Sequence, residues 1–340
     1  MSTVKLGRSG IISDKNGFGA LPIQRISFDD AERIILEAFD NGITYFDTAR
    51  FYTDSEQKLG RALKDKRDKV TIATKTMCTT TEQFWTQLEQ SLTDLQTDHV
   101  DLYQFHNPDF CPKPGDGSGL YEAMLEAKKQ GKILHIGITN HRMAVADEAI
   151  ESGLYETLQF PFSYLADERE LALAESCSDH DMGFIAMKAM SGGLITRADV
   201  AYAFCDQYDN VLPIWGIQRM EELEQFLACA KNPPVYDDDM REFVSKERIE
   251  LSGSFCRGCG YCMPCPQGIK ISDCARMSLL IRRGPLSVYM NDESKAEMEK
   301  AKECIHCDQC KSKCPYGLDT PTLIENCIKD YDEVLAGKPL

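Results

Sequence analysis

The chain has 340 residues, of which 43% are hydrophobic, and a formal net charge of −16. This length fits one large domain with a small one, and the apolar content suffices for a sizeable core. The acidic excess argues against a nucleic-acid partner, because phosphate binding needs clustered lysine and arginine. No apolar run approaches the ~18 residues of a membrane span, and no export signal stands at the start, so we expect a cytoplasmic protein without a membrane span.

Short apolar runs alternate with amphipathic stretches from about residue 28 to about residue 230, which is typical of strands followed by helices. A shorter apolar segment before them predicts a first strand. Most of the runs are rich in β-branched or other apolar residues, and several lead into a polar residue. The predicted strands cover residues 18–21, 43–49, 70–75, 99–105, 133–138, 157–162, 183–188 and 211–216.

The stretches between the strands carry helix start and stop signals. Ser27 precedes an acidic first turn with Asp30 three residues on, which is typical of an N-cap with a capping-box partner. Gly42 and Gly131 stand where helices would end, because glycine adopts the left-handed conformation common after a last turn. The remaining helices are predicted near residues 55–65, 82–95, 119–130, 142–152, 167–179, 196–208 and 219–230.

Eight strand–helix units within about 230 residues predict a parallel (β/α)8 barrel, an α/β fold of the TIM-barrel type. A doubly wound open sheet is the alternative, which the lack of a G-x-G-x-x-G sequence after the first strand weakens. Beyond Asn232 the pattern stops, and two prolines followed by three aspartates predict a turn and a linker. We therefore expect a barrel at 1–235, a linker at 236–253 and a small helical, loop-rich domain at 254–340.

The chain has 15 cysteines, and eight of them fall in two tight groups. Without an export signal, such grouping favours metal binding over disulfides. The first group has the spacing C-x2-C-x2-C-x2-C-P, and the second has C-x2-C-x2-C-x3-C-P, the run of bacterial two-cluster ferredoxins. The eight residues are Cys256, Cys259, Cys262, Cys265, Cys304, Cys307, Cys310 and Cys314. The other seven stand singly, and we assign them no function.

This spacing predicts two [4Fe–4S] clusters in a ferredoxin-like domain. A C-x2-C-x2-C loop wraps round one cube, and the fourth cysteine, which precedes proline, ligates the neighbouring cube. By this exchange one cluster is held by Cys256, Cys259, Cys262 and Cys314. The other is held by Cys304, Cys307, Cys310 and Cys265. A four-thiolate zinc site is the alternative, but three cysteines at successive x2 spacing followed by Cys-Pro favour iron–sulfur.

Four residues at or just after the ends of adjacent predicted strands form a candidate catalytic set, because barrel active sites lie at the carboxyl ends of the strands. They are Asp47, Tyr52, Lys75 and His106. A nearby lysine lowers the pKa of a tyrosine from its usual value of about 10, so Lys75 would make Tyr52 a better proton donor. Asp47 would pair with Lys75, and His106 would orient a carbonyl oxygen while a hydride reaches the carbonyl carbon. Each residue alone has an ordinary structural explanation. Only the occurrence of all four at or just after the ends of adjacent strands favours a catalytic role.

The sequence resembles the aldo-keto reductase family over about residues 1–230. GITYFDTARFY at 42–52 is similar to the family's first signature. GKILHIGITNH at 131–141 is similar to its strand-five motif, and GFIAMKAMSGG at 183–193 to its strand-seven motif. The fused cysteine-rich module resembles the branch of the family that carries a C-terminal ferredoxin-like domain.

The resemblance implies a nicotinamide cofactor, NADPH or NADH, across the barrel mouth. The implied cofactor residues are Thr139, Asn140 and Gln159 for the carboxamide, Met187 for the ring, and Lys188 and Ser191 for the phosphates. After the last strand, the Lys-Ser pair that binds the adenosine 2′-phosphate in many members is absent. Arg219 is the candidate phosphate partner there, so the choice between NADPH and NADH stays open.

Two functions from different classes are consistent with these features. The first is an oxidoreductase that reduces an aldehyde or ketone, or oxidises the alcohol, with Tyr52 as proton donor. Its clusters would relay electrons to or from a ferredoxin-like or flavoprotein partner, or would only stabilise their domain. Because a cluster moves one electron and a nicotinamide moves a hydride, direct exchange normally needs a flavin, and no flavin motif occurs. The alternative is an electron-transfer or redox-sensing protein in which the barrel is a docking scaffold.

Overall fold

A computed structural model describes residues 2–251, 255–284 and 286–340. The chain divides into two compact units. The first comprises Met1–Ala189 and Ala198–Asp237, and the second comprises Met190–Arg197 and Asp238–Leu340. In the described ranges, none of the helices combines the length and apolar character needed to cross a bilayer.

Short strands form the centre of the first unit. In chain order they are β1 (Thr3–Lys5), β2 (Ile12–Asp14), β3 (Gly17–Gly19), β4 (Tyr45–Asp47), β5 (Thr71–Thr76), β6 (Val100–His106), β7 (Ile133–Thr139), β8 (Thr157–Pro161), β9 (Gly183–Met187) and β10 (Val211–Gly216). Strands β3 to β10 pair in order as parallel neighbours, and β10 closes the barrel on β3. The predicted (β/α)8 barrel is confirmed.

The antiparallel hairpin of β1 and β2 is absent from the predicted strands. Each of its strands has three residues and one buried side chain, Val4 in β1 and Ser13 in β2. Such short strands give too little alternation of apolar and polar residues to be recognised. The hairpin nevertheless contributes to the core, since Val4, Leu6 and Ile11 pack in one apolar cluster with Tyr45 of the barrel interior.

A helix follows each barrel strand, as the sequence predicts. The helices are α1 (Phe28–Asp40), α2 (Ser55–Leu63), α3 (Thr81–Asp94), α4 (Leu120–Lys129), α5 (Met143–Ser152), α6 (Glu168–Asp179), α7 (Ala198–Asp206) and α8 (Met220–Lys231). The predicted cap of α1 is confirmed, because the Ser27 side chain accepts the backbone N–H of Asp30. A full capping box between Asp167 and Glu170 begins α6.

The second unit consists of helices, several of a single turn, that pack around the cysteine loops. They are α9 (Asp238–Glu250), α10 (Ile271–Cys274), α11 (Met277–Arg283), α12 (Leu286–Tyr289), α13 (Asp292–Ala301), α14 (Gln309–Ser312) and α15 (Thr320–Leu335). The core of this unit combines apolar side chains such as Ile269, Leu280 and Ile324 with buried cysteines. Thiol groups therefore replace part of the apolar core that a domain of this size would otherwise need.

Two boundaries differ from the predicted division. The segment 236–253, expected to be a linker, contains helix α9, and residues 252–253 lie outside the described residues. Glu247 and Glu250 of α9 pair with Arg283 of α11, so ion pairs hold a helix that has little apolar periodicity. The segment Met190–Arg197, expected within the barrel, belongs to the second unit because Leu194 is buried in that unit's core.

Candidate functional site

Polar side chains from five adjacent strands reach one end of the barrel. Asp47 ends β4, Lys75 is the next-to-last residue of β5, and His106 ends β6. The strand register pairs His106 with Thr139 on β7, and Thr139 with Gln159 on β8. Asp47, Lys75, His106 and Thr139 thus lie at the carboxyl ends of their strands, where barrel enzymes place their chemistry, and Gln159, in the middle of β8, lies level with Thr139.

A buried ion pair joins Asp47 to Lys75. The Lys75 Nζ donates to Oδ1 of Asp47 at 2.6 Å and to the carbonyl oxygen of Thr48 at 2.6 Å. Burial raises the pKa of Asp47 and lowers the pKa of Lys75, and the attraction between the two charges opposes both shifts. The pair thus fixes the lysine ammonium at one point of the barrel mouth.

Tyr52 lies on the loop between β4 and α2, with its side chain half-buried. The centroid of its ring is 5.5 Å from the Lys75 Nζ. Its ring also meets the imidazole of His106 edge to face, with the centroids 5.8 Å apart. The tyrosine therefore contacts both the lysine and the histidine of the predicted set, and part of it is accessible to a ligand.

His106 is neutral at physiological pH. Burial, with the charges of Lys75 and Lys188 in addition, lowers the pKa of its imidazole to about 3. A neutral imidazole can donate one N–H to a carbonyl oxygen without contributing a full positive charge. This arrangement suits a group that orients a substrate oxygen and leaves proton donation to a neighbouring residue.

Gln104 is a site residue that the sequence interpretation missed. Its Nε2 donates to Oε1 of Gln159 at 3.1 Å and lies 3.5 Å from Oδ2 of Asp47, and Gln159 Nε2 lies 3.5 Å from the other oxygen of that carboxylate. The two amides therefore surround the carboxylate that holds Lys75. The sequence does contain an indication of this role, because Gln104 stands two residues before His106 and therefore on the same face of a buried strand.

The loop that carries Tyr52 is braced by a second ion network, also missed. The Arg50 guanidinium donates to Glu56 at 2.5 Å and to Asp94 at 2.5 Å. The Thr74 hydroxyl donates to Glu56 at 2.6 Å, and burial raises the pKa of that carboxyl group. Arg50 and Asp94 are far apart in sequence, so no local pattern predicts their pairing. The network fixes the backbone two residues before Tyr52.

The three residues predicted to hold a carboxamide differ in their bonding. Thr139 is buried, and its hydroxyl has no hydrogen-bond partner among the described residues. Gln159 already bonds to Gln104. The Asn140 side chain closes the turn before α5, since its Oδ1 accepts two backbone N–H groups and its Nδ2 donates to Pro108. Thr139 is therefore the member of the three with a buried polar atom left for a ligand.

Met187 ends β9, and Lys188 directly after it carries a positive charge near two histidines. Met187 is half-buried and packs against the interior apolar cluster, and Lys188 adopts a left-handed backbone with φ 58°. Burial, then the charge of Lys188, lowers the pKa of His141 well below its usual value. His141 was not a predicted site residue, although it directly follows Thr139 and Asn140 in the quoted motif. The structure thus brings Lys188 near both histidines.

Two predicted cofactor residues remain, Ser191 and Arg219. Ser191 belongs to the second unit, in the segment Met190–Arg197, and has φ 47°. Arg219 is exposed and donates to its neighbour Glu222, at 2.6 Å from Nη2 and 3.0 Å from Nε. A phosphate at Arg219 would therefore compete with a carboxylate that this guanidinium already binds.

The two cysteine loops share one backbone pattern. The residues on either side of the middle cysteine have positive φ in both loops, namely Gly258 (62°) and Gly260 (80°), then His306 (51°) and Asp308 (57°). Left-handed residues turn the chain sharply, and histidine and aspartate tolerate this conformation better than most non-glycine residues. Each loop thus curls round its three thiols. In the first, the N–H of Gly258 donates to the Cys256 sulfur at 3.4 Å.

The thiols are grouped in a way that fits two clusters. Burial raises the pKa of Cys256, and the thiols of Cys259 and Cys314, members of the same predicted ligand set, raise it further. The other predicted set lines a hollow that is partly open to solvent. The cysteines that line it are Cys265, Cys304, Cys307 and Cys310 of this set, together with Cys262 of the first set. Four thiols around a partly apolar hollow supply the donors that a [4Fe–4S] cube needs.

A site for a single metal ion is a separate question. Among the side chains that the structure describes, no three histidine, cysteine, aspartate or glutamate residues come together at the spacing of one ion.

Residues 15–201, more than half of the chain, match the sequence model of the aldo/keto reductase family. The chain belongs to that family, as its motifs predict. Residues 255–319 match the sequence model of a 4Fe-4S dicluster domain, and this stretch contains all eight grouped cysteines.

Curated relatives resemble the barrel. The chain is 29% identical to aldo-keto reductase YhdN of Bacillus subtilis (strain 168) over 215 residues, which cover 58% of this chain and 64% of that protein. It is 29% identical to L-galactose dehydrogenase of Arabidopsis thaliana, over 56% of this chain and 66% of that protein. It is 34% identical to methylglyoxal reductase DkgB of Salmonella typhimurium, over 51% and 68%. The chain thus spans slightly under two thirds of the first two relatives.

Solved structures share the barrel fold. Aldo-keto reductase AKR11C1 from Bacillus halodurans, in its holo form, has a TM-score of 0.63 and 22% identity, over 73% of this chain and 96% of that one. An aldo-keto reductase from Klebsiella pneumoniae in complex with NADPH has a TM-score of 0.61 and 22% identity, over 72% and 94%. At this identity the similarity establishes the fold.

Proposed function

We propose that this chain is a nicotinamide-dependent oxidoreductase that reduces an aldehyde or ketone to the alcohol, or catalyses the reverse reaction, with Tyr52 as the proton donor. The observation that carries the proposal is the contact of the Tyr52 ring with Lys75 and His106, at 5.5 Å and 5.8 Å, where adjacent strands end. NADPH or NADH would supply or accept the hydride at the carbonyl carbon. Family membership and the NADPH complex of a structural neighbour support the cofactor class.

The protein's part is to deliver a proton as negative charge develops on the carbonyl oxygen. The Lys75 ammonium next to the ring favours the phenolate, so Tyr52 gives up its proton more readily than a free phenol does. Asp47 and the Thr48 carbonyl take two of the three N–H groups of the ammonium and keep it in place. In the oxidation direction, the same phenolate would accept the proton of the alcohol.

His106 would place the substrate oxygen. Its pKa of about 3 keeps the ring neutral near neutral pH, so it offers an N–H without a full positive charge. Because His106 and Lys75 are buried, their hydrogen bonds to a substrate oxygen are stronger than they would be in bulk water.

The residues proposed to hold the cofactor differ in whether their polar atoms already have hydrogen-bond partners. The Thr139 hydroxyl is buried and has no partner in the part of the chain that the structure describes, which supports a carboxamide partner at that position, next to Gln159. Lys188 and Ser191 would meet the phosphates. The bond between Arg219 and Glu222 weakens the case for a 2′-phosphate there, so both NADPH and NADH belong in the test.

The eight grouped cysteines would hold two [4Fe–4S] clusters, which exchange single electrons when bound. A second function, electron transfer to a ferredoxin-like or flavoprotein partner, is favoured by one observation. Cys307 is exposed and its neighbour Ile305 is 59% exposed, so one cluster would lie at the surface. We propose hydride transfer and electron transfer as separate chemistries of one chain.

The test uses the holoprotein purified without oxygen, with either nicotinamide and a panel of aldehydes and ketones, followed at the nicotinamide absorbance band. Tyr52→Phe should lower turnover at least about 10²-fold with iron and sulfide content unchanged. Tyr236→Phe is the matched control, because this tyrosine is also half-buried, packs on Phe204 and is not one of the predicted site residues. Equal turnover of wild type and Tyr52→Phe would refute the proton donor. No turnover with any carbonyl would favour the electron carrier.

A further inference from the structure

Arg276 belongs to the second unit, between α10 and α11, and packs against the first cysteine loop. A side-chain carbon added at Gly258 would lie 2.7 Å from Nη1 of Arg276 and 2.9 Å from its Cζ. Gly258 stands between Cys256 and Cys259, two predicted cluster ligands. A positive charge therefore touches the backbone that would wrap the first cluster.

The helix that precedes Arg276 also meets this loop. The carbonyl oxygen of Ser272 in α10 lies 4.0 Å from the Cys256 sulfur. Burial raises the pKa of the Cys256 thiol, and the charge of Arg276 opposes that rise. The guanidinium therefore acts electrostatically on a sulfur atom of the first predicted ligand set, and not only on the backbone beside it.

One donor of the Arg276 guanidinium is left over. The Nη1 atom donates to the carbonyl oxygen of Gly192 at 2.8 Å, and Nη2 lies 3.6 Å from Oδ1 of Asp273. The Nε atom is buried and has no hydrogen-bond partner in the ranges 2–251, 255–284 and 286–340. A buried N–H without a partner is unfavourable, so this atom indicates an acceptor that the protein binds. A sulfur of a bound cluster is such an acceptor.

The second cysteine loop carries its positive charge differently. Lys311, directly after Cys310, donates from Nζ to Oδ2 of Asp319 at 2.7 Å, and about half of each side chain of this pair is exposed. Water and the carboxylate both weaken the field of this ammonium. The Arg276 side chain is only 13% exposed, and its contact with the Asp273 carboxylate is longer, at 3.6 Å. The first ligand set therefore faces the less compensated positive charge.

We propose that Arg276 raises the reduction potential of the first cluster above that of the second. The first cluster is the one assigned to Cys256, Cys259, Cys262 and Cys314. Reduction adds one electron from a donor to the cluster, and no bond forms or breaks. Because the added charge is negative, a fixed guanidinium stabilises the reduced form, and a hydrogen bond from Nε to a sulfur acts in the same direction. This inference rests on the proposed clusters and not on the proposed hydride transfer.

The difference in potential gives an electron a direction. Cys262 of the first set also lines the hollow of the second set, so the two clusters would be neighbours. Cys307 of the second loop is exposed, so a one-electron donor of the ferredoxin or flavoprotein class would meet the second cluster first. The electron would then pass to the cluster beside Arg276, where it is held more firmly.

The test is a redox titration of the holoprotein without oxygen, with dithionite and then photoreduced deazaflavin as reductants. Electron paramagnetic resonance follows each reduced cluster, and iron and sulfide are measured on the same samples. Arg276→Gln removes the charge, Arg276→Lys keeps a charge without Nε, and Asp273→Asn removes the neighbouring carboxylate. Arg282→Gln is the matched control, because this arginine of α11 directs its hydrogen bonds to Ser278 and Asp330.

We expect the equilibrium constant for reduction of one cluster to fall about tenfold in Arg276→Gln, which corresponds to about 59 mV for one electron. The constant of the other cluster should fall much less. Arg276→Lys should recover part of the loss, Asp273→Asn should shift the same cluster in the opposite direction, and Arg282→Gln should match wild type. In Cys310→Ser, which should lack the second cluster, Arg276→Gln should still shift the cluster that remains.

Four results would contradict the proposal. Unchanged potentials in Arg276→Gln with full iron content, or two potentials that fall equally, would overturn this inference alone. A shift that disappears in Cys310→Ser would assign the effect to the second cluster and overturn it too. If Arg276→Gln loses iron, Asp273→Asn decides, and an unchanged potential there would overturn the inference. A wild type without iron and sulfide would overturn the proposed clusters and this inference together.

Discussion

The barrel mouth and the cysteine loops bring reactive groups together by different physical means. In the barrel mouth, opposite charges face each other, since the Nζ of Lys75 lies 2.6 Å from Oδ1 of Asp47. In the loops, like groups gather, and burial together with neighbouring thiols raises the pKa of Cys262 to about 12. The first arrangement is stable with protein groups alone. The second brings together thiols that resist ionisation, and it gains its full stability when a metal cluster takes the place of their protons.

The largest effect is expected from a substitution that disrupts the grouped thiols of the cysteine loops. Cys310→Ser removes a predicted ligand of the second cluster from the hollow that its cysteines line, and we expect the iron content to fall by about four atoms per chain. Since metal binding and folding are coupled in such modules, the second unit should also unfold at a lower temperature. Iron and sulfide analysis and a thermal scan with separate signals for the two units measure both effects.

Cys274→Ser is the matched control, because Cys274 is fully buried in the same core but stands outside the two groups. It should keep the iron while losing some packing. If Cys274→Ser lost as much iron as Cys310→Ser, the difference between ligand and core cysteines would be wrong.

A smaller effect is expected from breaking the ion pair of the mouth. Asp47→Ala leaves the Lys75 ammonium buried beside a neutral side chain, which should cost about 3–5 kcal/mol of unfolding free energy. Turnover should fall at least about 10²-fold, because the ammonium that primes Tyr52 is no longer fixed. Urea unfolding and the nicotinamide assay give the two numbers.

The double variant Asp47→Ala/Lys75→Met separates charge from packing. It should recover much of the stability and none of the activity, because no unpaired charge remains in the core. Glu242→Ala is the control, since it breaks an exposed pair with Lys246 that water already screens and should leave stability unchanged. A double variant as unstable as Asp47→Ala would show that packing, and not charge, dominates the site.

The same comparison explains what the sequence could predict. Strand ends are set by local periodicity, so the positions of Asp47, Lys75 and His106 at the carboxyl ends of their strands agree with the sequence pattern. Pairings across long separations leave no periodic trace. The Arg50–Asp94 ion pair joins residues 44 positions apart and was not foreseen.

In the second unit the cysteine spacing predicts the module, but its other contacts follow no pattern. Helix α9 was expected to be a linker because its sequence has little apolar periodicity, and ion pairs to Arg283 hold it instead. His306 and Asp308 take the left-handed conformation that Gly258 and Gly260 take in the first loop. That similarity is invisible in the sequence, because the residue types differ.

The third prediction concerns pH and a single buried imidazole of the mouth. The pKa of His106 is about 3 in the folded chain and about 6.5 when unfolded. Between these values the unfolded chain binds a proton that the folded chain does not. The contribution of His106 to the free energy of unfolding is therefore fully present above pH ~6.5 and is lost as pH falls toward 3. His106→Gln should therefore remove up to about 1.4 kcal/mol per pH unit from the acid dependence of unfolding.

Asp14→Asn provides the control with the opposite sign. Burial raises the pKa of Asp14 to about 6. The contribution of Asp14 to the free energy of unfolding is therefore fully present below pH ~3.8 and is lost as pH rises through about 6. Removing it should make the barrel less stable toward acid relative to neutral pH, whereas His106→Gln does the reverse. Trp85 and Trp215, the chain's 2 tryptophans, both lie in the first unit, so fluorescence-detected urea unfolding at several pH values reports on the barrel. If His106→Gln left the slope unchanged, the imidazole would titrate alike in both states, and its role as a neutral donor at low pH would have to be abandoned.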